Sequence, residues 1–258
     1  MAIKTTNDIK IGILIREYLT EFEADVLKDI IKNFPFCLQI AIIDDRPQMS
    51  LLQKIKKNIK KKRGMYIIIM FFQKILKKQK KQISAKEFLN DVELVKTQNI
   101  YSIDMIKKIK DKNLDILLLI NGFGIIKKSL LKAAKSGILS YHHGDMRKYR
   151  GMPPGFWELY NNESEMGATV QLLNAGLDKG FPVEEIKLQI YRRDTLNSLN
   201  RRIYQNSTKM MTAALIKILN PNYRPLALEK VGKLYTLPNF RQYIFLRIKI
   251  LYRKLFTI

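Results

Sequence analysis

Cysteine and histidine are almost absent from this sequence. Among 258 residues there is one cysteine, Cys37, and the two histidines are neighbours, His142 and His143. A single cysteine excludes an internal disulfide and a cysteine-rich metal site, and it favours a reducing compartment. Any histidine chemistry is confined to one place in the chain.

Long hydrophobic runs are also missing. The longest apolar run, residues 65–72, is far shorter than the ~18 residues that a membrane span needs. The apolar stretch near the N-terminus stops at Arg16, too early for the hydrophobic region and cleavage site of a signal peptide. We therefore expect a cytoplasmic protein without a membrane span.

Acidic residues are scarce, with 23 Asp and Glu against 47 Lys and Arg, a net charge of +24. An excess of this size is typical of proteins that bind nucleic acid, phosphorylated metabolites or anionic membranes. Composition alone is the alternative, because Lys, Ile and Asn are all frequent, as in proteins from AT-rich genomes. We interpret the lysines of segment 54–81 as a solvated helical surface, with anion binding as the alternative.

Alternating strand and helix patterns predict a parallel sheet. Residues 9–15 and 38–43 are rich in β-branched residues, and residues 21–33 between them have helical spacing of apolar positions. Further strands are predicted at 92–95, 114–120, 138–141, 167–173 and 185–191. Helices are predicted at 104–112, 127–136, 242–256 and, as one long helix capped by Asp194, up to 219. The predicted fold is α/β, with a Rossmann-like, mostly parallel sheet flanked by helices in residues 1–193 and a helical, basic extension in residues 194–258.

Polar and glycine-rich segments follow two of these strands. Residues 121–124 and 140–145 stand at strand carboxyl ends, where ligands bind in open sheets. Gly122-Phe123-Gly124 lacks the third glycine of a dinucleotide fingerprint, because Lys127 occupies that position. A tight turn that lines a pocket is the better interpretation.

The histidine pair is predicted to divide its roles. Side chains alternate along a strand, so one histidine can enter the crevice while the other packs elsewhere. The alternative to a catalytic histidine is a metal site, in which the histidine pair and Asp145 or Asp178 would be the ligands. Adjacent histidines do not converge easily on one ion, so we expect no metal.

Residues 115–180 resemble the folate-dependent formyltransferases, the family of methionyl-tRNA formyltransferase, glycinamide ribonucleotide formyltransferase and the sugar N-formyltransferases. The matching pieces occur in the family's order and spacing: Gly122-Phe123-Gly124-Ile125-Ile126, Gly137-Ile138-Leu139, His142, Tyr149-Arg150-Gly151, Pro154, Trp157, Gly167-Ala168-Thr169 and Gly176-Leu177-Asp178-Lys179-Gly180. The resemblance implies that a formyl group passes from 10-formyltetrahydrofolate to a primary amine.

The resemblance also assigns roles. His142 and Asp178 fall on the family's catalytic His and Asp, and Ser140 replaces the family's Asn. His142 would polarise the formyl group or move a proton, Asp178 would orient the imidazole, and Ser140 would donate a hydrogen bond to the oxyanion. The folate slot would be formed by Gly122, Phe123, Gly124, Ile125, Ile126, Asn174 and Gly176. Plain core packing is the alternative for Phe123 and Ile125.

The acceptor is expected to be a small, phosphorylated amine. Arg147, Tyr149 and Arg150 stand beside His142 and would bind its phosphate; a solvated loop is the alternative. The favoured acceptor is an amino sugar linked to a nucleotide or a lipid. The alternatives are methionyl-tRNA, which the basic charge favours, and a non-catalytic homologue that lost the Asn. The tRNA enzymes carry a separate C-terminal β-barrel, whereas residues 195–258 have a helical pattern.

The pattern of apolar and basic residues in the tail, residues 239–258, predicts an amphipathic helix. Phe240, Ile244, Ile248, Leu251 and Leu255 share one face, and most of the cations lie off it. This face would dock on the α/β domain or on a second subunit, or it would lie on an anionic membrane and make the protein peripheral to it.

Overall fold

The computed structural model describes residues 9–60, 82–175 and 179–256. In these parts of the chain the strands are β1 (Ile11–Ile15), β2 (Tyr18–Leu19), β3 (Leu38–Asp44), β4 (Ile83–Ser84), β5 (Glu93–Thr97), β6 (Ile116–Leu119), β7 (Ile138–His142), β8 (Tyr149–Gly151), β9 (Glu165–Leu172), β10 (Phe181–Gln189) and β11 (Lys233–Tyr235). The α-helices are α1 (Glu21–Asn33), α2 (Leu51–Lys60), α3 (Ile103–Asp111), α4 (Lys128–Leu131), α5 (Phe156–Tyr160), α6 (Leu196–Ser207), α7 (Met210–Leu219) and α8 (Phe240–Leu255), and a 3-10 helix covers Ala85–Phe88.

The main sheet has the strand order β10-β9-β7-β6-β1-β3-β5. The five strands from β7 to β5 run parallel, and β9 and β10 are antiparallel to their neighbours. The predicted α/β fold with a mostly parallel sheet and a C-terminal helix is confirmed. Segment 54–81 is described only up to Lys60, as part of α2; residues 61–81 lie outside the described residues.

The sheet has two buried faces, and the alternation of side chains on β7 connects them. Ile138 packs with Leu117, Leu119 and the residues of α4 on one face. Leu139 and Tyr141 pack on the other face, in the same cluster as buried residues of α1, α6 and α7. Helices therefore cover both faces, as a sheet with continuous apolar strands requires.

The predicted long helix from 194 to 219 was wrong, because two helices, α6 and α7, occupy this segment. The hydroxyl of Tyr141 donates to the Ser207 carbonyl (2.7 Å) and accepts from the Met211 amide (3.0 Å) at the break. These bonds satisfy backbone groups where the helix is interrupted. The cap of α6 is Thr195 rather than Asp194, whose carboxylate accepts from Tyr191 N and Ser198 Oγ.

Other elements also differ from the sequence prediction. The helix predicted at 127–136 is limited to the single turn of α4. Strands β8 and β11 were not predicted and pair in parallel, with Tyr149 opposite Lys233. Three-residue strands carry too little alternation to be recognised from a sequence. Through this pair, the C-terminal segment is joined to the loop that follows β7.

The last helix, α8, docks through a face other than the predicted one. Leu246 and Ile250 are buried, whereas Ile244, Ile248, Leu251 and Leu255 are exposed. Lys249 Nζ donates to the Tyr160 carbonyl at 2.7 Å, and the rings of Tyr160 and Phe245 lie 5.3 Å apart. Docking of the predicted apolar face on the α/β domain is therefore wrong.

Across the described parts of the chain, none of the helices is both long enough and apolar enough to cross a bilayer.

Candidate active site

Ser140 and His142 lie two residues apart on β7, so they share one face of the sheet. Strand β7 runs between β6 and β9. Ser140 stands opposite Leu119 of β6 and Gln171 of β9, and His142 stands opposite Thr169. Within a face that is otherwise apolar, Ser140, His142, Thr169 and Gln171 form a polar group where β6 ends and β7 continues.

The imidazole of His142 is buried and held by a backbone group. Its Nε2 lies 2.8 Å from the carbonyl oxygen of Tyr149. Because a carbonyl oxygen can only accept, Nε2 carries a proton, which leaves Nδ1 as the basic nitrogen of the neutral ring. A Cβ atom at Gly144 would stand 2.7 Å from His142 Nε2, so the turn after β7 needs glycine to admit the ring.

His143 belongs to the opposite face. Its ring stacks on Tyr141 (5.5 Å between centroids) and meets Phe22 and Tyr204 edge-on. Burial among these rings lowers the pKa of His143 to about 3, with a smaller contribution from His142. His143 therefore stays neutral at physiological pH, and the pair separates across the sheet as side-chain alternation predicts.

The loop after β6 lies beside this group and has an unusual backbone. Gly122, Phe123 and Gly124 have φ angles of 80°, 49° and 68°, a left-handed run that glycine tolerates and phenylalanine does not favour. Phe123 is held in it by a hydrogen bond from its backbone N–H to Asp44 Oδ2 (2.8 Å). Asn121 Oδ1 accepts from the backbone N–H of Arg16 (2.6 Å). The ends of β1 and β3 thus fix the loop.

Asp44 was not identified from the sequence, yet it organises this edge of the sheet. Its side chain is fully buried and makes two hydrogen bonds with the Arg46 guanidinium (2.7 and 2.8 Å), and Arg16 lies 3.6 Å away. Burial raises the pKa of Asp44, but the hydrogen bonds from Arg46 and from the Phe123 amide outweigh it and bring the pKa to about 2. The only sequence signal was its position where β3 ends.

The remaining residues of the loop divide between the core and the surface. Phe123 and Ile126 are buried in the core, whereas Ile125 is 67% exposed. The Tyr101 hydroxyl donates to the Ile125 carbonyl and accepts from the Lys127 amide, both at 3.2 Å. Ile125 is therefore an apolar side chain on a fixed backbone, open to a ligand.

The described ends of the β9–β10 connection are hydrogen-bonded to each other, to β9 and to β7. Gly180 N donates to Gln171 Oε1 (3.1 Å), and Asn174 Nδ2 donates to the Lys179 carbonyl (2.7 Å). Asn174 follows β9 at the level of Ile138, since Leu173 N donates to the Ile138 carbonyl. Gly176 and Asp178, assigned to the folate slot and to catalysis, lie outside the described residues.

The three residues expected to bind the acceptor are held within the chain. Arg147 pairs with both oxygens of Glu185 (2.5 and 3.0 Å), and Arg150 Nε donates to the Gly232 carbonyl (2.6 Å). The hydroxyl of Tyr149 donates to Glu163 Oε1 (2.8 Å) and accepts from Asn161 Nδ2 (2.9 Å). Arg147 is the most open of the three, with 44% of its side chain exposed.

An open depression of about 520 Å³ adjoins the same face near the start of β7. It lies between the segment 131–137 and the end of β9, at Leu172 and Leu173, and Lys110, Lys132 and Lys135 are on its rim. Ser140 and His142 are not among the described residues that line this depression. In the described ranges there is also no group of three or more His, Cys, Asp or Glu side chains that could hold a metal ion.

Ser140 and His142 provide a hydroxyl donor and an imidazole on one face of the sheet. Beside them lies the apolar loop after β6, whose backbone is fixed by hydrogen bonds. Such an arrangement suits acyl transfer, in which an oxyanion needs a hydrogen bond and a proton must leave the attacking group.

Comparison with known proteins agrees with this chemistry. The profile described as formyl transferase matches residues 71–215. The methionyl-tRNA formyltransferase of Alkaliphilus oremlandii is 21% identical over 164 residues, which are 59% of this chain and 53% of that protein. The chain thus spans about half the length of that relative.

Solved structures show the same fold at low sequence identity. An N-formyltransferase from Helicobacter canadensis, in complex with folinic acid and dTDP-3-aminofucose, has a TM-score of 0.59 and 15% identity, with 88% of this chain and 71% of that chain covered. Glycinamide ribonucleotide transformylase 1 from Symbiobacterium toebii has a TM-score of 0.58 and 15% identity, with coverage of 87% and 94%.

Proposed function

Because this chain belongs to the formyl transferase family, we propose that it transfers the formyl group of 10-formyltetrahydrofolate to a primary amine. The placement of Ser140 and His142 on one face of β7, beside the fixed loop after β6, carries the proposal. The folate would supply the activated formyl group.

The loop after β6 has the features that a folate ring system needs. A pterin is a flat ring with a polar edge, so it fits an apolar side chain next to fixed backbone groups. Ile125 offers an exposed apolar side chain, and hydrogen bonds to Asp44 and Tyr101 fix the backbone on both sides of Gly124. Asn174 and Gly176 of the β9–β10 connection would complete the slot, as the family resemblance implies.

His142 is proposed as the residue that moves the proton. The hydrogen bond from Nε2 to Tyr149 O fixes the ring and its tautomer, so Nδ1 is the basic nitrogen that can take a proton from the attacking amine. His143 cannot take this role, because it is buried on the other face of the sheet with a pKa of about 3.

Ser140 and Asp178 are proposed to act together with His142. Ser140 lies on the same face as His142, at the end of β6, and its hydroxyl would donate to the developing oxyanion. The assignment of Asp178 rests on the family motif. Lys179 and Gly180, which follow it, are anchored to Asn174 and Gln171, and Gln171 stands opposite Ser140 on β9.

An amino sugar linked to a nucleotide or a lipid is the acceptor that we favour. The Helicobacter canadensis protein of the same fold holds dTDP-3-aminofucose together with folinic acid. The net charge of +24 also suits a phosphorylated acceptor. To bind the acceptor phosphate, Arg147 would have to leave its ion pair with Glu185. Arg16 and Arg46, which lie beside Asp44, are two further guanidinium groups near the loop after β6.

The test is an assay of tetrahydrofolate release from 10-formyltetrahydrofolate with a panel of amines. The panel contains nucleotide-linked and lipid-linked amino sugars, glycinamide ribonucleotide and methionyl-tRNA, and mass spectrometry identifies the formylated product. We expect formylation of an amino sugar, at a rate that the His142→Gln variant lowers by about 10²–10⁴-fold. Preference for methionyl-tRNA would support the alternative acceptor, and absence of turnover with every amine would refute the proposed activity.

A further inference from the structure

The outward face of α8 carries apolar side chains from Ile244 to the end of the helix. Seven large apolar side chains on it are exposed: Ile244, Phe245, Ile248, Leu251, Tyr252, Leu255 and Phe256. Ile248 is 61% exposed and Leu255 is 67% exposed. With 100° between successive residues, the seven side chains span an arc of roughly 140°, as wide as the buried stripe of an ordinary surface helix. We call them the outer stripe.

The orientation of this stripe is fixed by the opposite side of the helix. Leu246 and Ile250 are buried in the same core cluster as α5. Lys249 donates to the Tyr160 carbonyl, and Arg253 donates to Asn162 Oδ1. The helix is also capped, because Asn239 and Gln242 exchange side-chain and backbone hydrogen bonds. The outer stripe is therefore presented outward by a formed helix.

The charges around the stripe have one sign. After Glu229 the sequence contains no acidic residue, but it contains seven basic ones: Lys230, Lys233, Arg241, Arg247, Lys249, Arg253 and Lys254. Arg247 and Lys254 border the stripe on one side, and Lys249 and Arg253 border it on the other. None of the described acidic side chains forms an ion pair with Arg247 or Lys254.

From this surface we infer that α8 is a docking site for an anionic lipid bilayer, lying in the plane of the interface. The outer stripe would enter the boundary between headgroups and acyl chains, and Arg247 and Lys254, whose side chains bind no group of the described residues, would meet lipid phosphates. A second copy of the chain fits less well, because a two-fold pairing of this face would bring cations against cations. A nucleic acid would use the cations but would leave the aliphatic side chains of the stripe without a partner.

The inference does not depend on the proposed enzymatic activity. Sedimentation of the full-length protein with phosphatidylglycerol vesicles at low salt is the direct test, with phosphatidylcholine vesicles as the neutral comparison. We expect binding to the anionic vesicles that weakens as salt is added, because the lipid charge is screened. Absence of binding, or equal binding to neutral vesicles, would overturn the inference.

Substitutions in the stripe identify the surface responsible. The triple variant Ile248→Ser, Leu251→Ser, Leu255→Ser changes only exposed side chains and should lower vesicle affinity at least ~tenfold, because each loses apolar area that the bilayer would bury. The matched control is Leu226→Ser, an exposed leucine that lies outside α8, which should bind as the unchanged protein does. Circular dichroism checks that the helix persists.

Other binding partners of the outer stripe would give different results in these experiments. A concentration-dependent dimer that the triple variant abolishes would assign the stripe to a second copy. Binding to tRNA that depends on Arg247 and Lys254 and is unaffected in the triple variant, without vesicle binding, would assign the surface to nucleic acid. Either result contradicts the bilayer inference, and neither affects formyl transfer measured with a soluble acceptor.

Discussion

The buried carboxylate of Asp44, where β3 ends, accepts a hydrogen bond from the backbone N–H of Phe123, 79 residues further along the chain, at 2.8 Å. The same carboxylate binds Arg46, whose guanidinium lies 5.8 Å from the centre of the Phe123 ring. Asp44 therefore holds both the backbone and the side chain of the loop that we assign to the folate donor.

The Asp44→Asn substitution tests this connection. The amide keeps the shape of the carboxylate but loses its charge, so the bonds to Arg46 and Phe123 weaken. We expect KM for 10-formyltetrahydrofolate to rise about tenfold and the free energy of unfolding to fall by about 1–3 kcal/mol. The control is Asp45→Asn, the exposed neighbour. Unchanged donor affinity in Asp44→Asn would show that Asp44 supports the fold only.

Glu158 in α5 predicts a pH dependence of stability. Burial, helped by the nearby carboxylates of Glu163 and Asp145, raises its pKa from 4.5 to about 7. A carboxyl whose pKa is raised in the folded state favours folding fully below pH 4.5, and the benefit is lost as the pH rises through 7. His143, whose pKa is lowered from 6.5 to about 3, contributes the opposite dependence below pH 6.5, so the effect of Glu158 is measured as a difference between two proteins. Relative to the Glu158→Gln variant, the unchanged protein should lose about 2–4 kcal/mol in free energy of unfolding between pH 4.5 and 7.

The exposed Glu165 provides the control for Glu158. Glu165→Gln removes a carboxyl from β9 that stays accessible to solvent, so it should leave the pH profile of the unchanged protein in place. The same pH profile in the unchanged protein and in Glu158→Gln between pH 5 and 8 would mean that Glu158 is ionised within the fold.

Tyr141 explains the break between α6 and α7, and its hydroxyl can be removed alone. Tyr141→Phe leaves the Ser207 carbonyl and the Met211 amide without the hydroxyl that bonds both. We expect a loss of about 1–3 kcal/mol in free energy of unfolding, with turnover per folded molecule unchanged, because Tyr141 faces away from Ser140 and His142.

A second tyrosine in the same aromatic cluster serves as the control for Tyr141. The Tyr204 hydroxyl has no hydrogen-bond partner among the described residues, so Tyr204→Phe should cost clearly less stability. Equal losses in the two variants would contradict the role given to the Tyr141 hydroxyl.

The sheet could be predicted from the sequence, because its strands are apolar runs with clear ends. β1, β3, β6 and β7 were expected within a few residues of their observed bounds. The division of the histidine pair was also predictable, since it follows from alternation along a strand. Such features depend on local sequence alone.

Features that depend on distant contacts could not be predicted. The break in the 194–219 segment depends on Tyr141, more than sixty residues away along the chain. The role of Asp44 depends on the loop at Phe123. In α8, apolar residues occur on both sides of the helix, so spacing could not show that Leu246 and Ile250 would dock and that Ile248 and Leu255 would face outward.

Ser140, where the family has Asn, predicts an informative substitution. Ser140 is half-buried beside Leu119 and Gln171, and Ser140→Asn restores the longer donor. We expect turnover equal to or above that of the unchanged enzyme, measured at saturating donor and acceptor. A folded Ser140→Asn enzyme with much lower turnover would show that this site positions the formyl group differently.

His142 is proposed to move the proton in formyl transfer, and its neighbour His143 provides the comparison that tests this role. Tetrahydrofolate release at saturating 10-formyltetrahydrofolate and amino sugar is followed for His142→Gln and His143→Phe, each checked for folding by circular dichroism. We predict that His142→Gln lowers kcat by about 10²–10⁴-fold, while His143→Phe, which keeps an aromatic ring in the Phe22, Tyr141 and Tyr204 cluster, stays close to the unchanged enzyme. A folded His142→Gln enzyme with undiminished kcat would show that His142 does not move the proton.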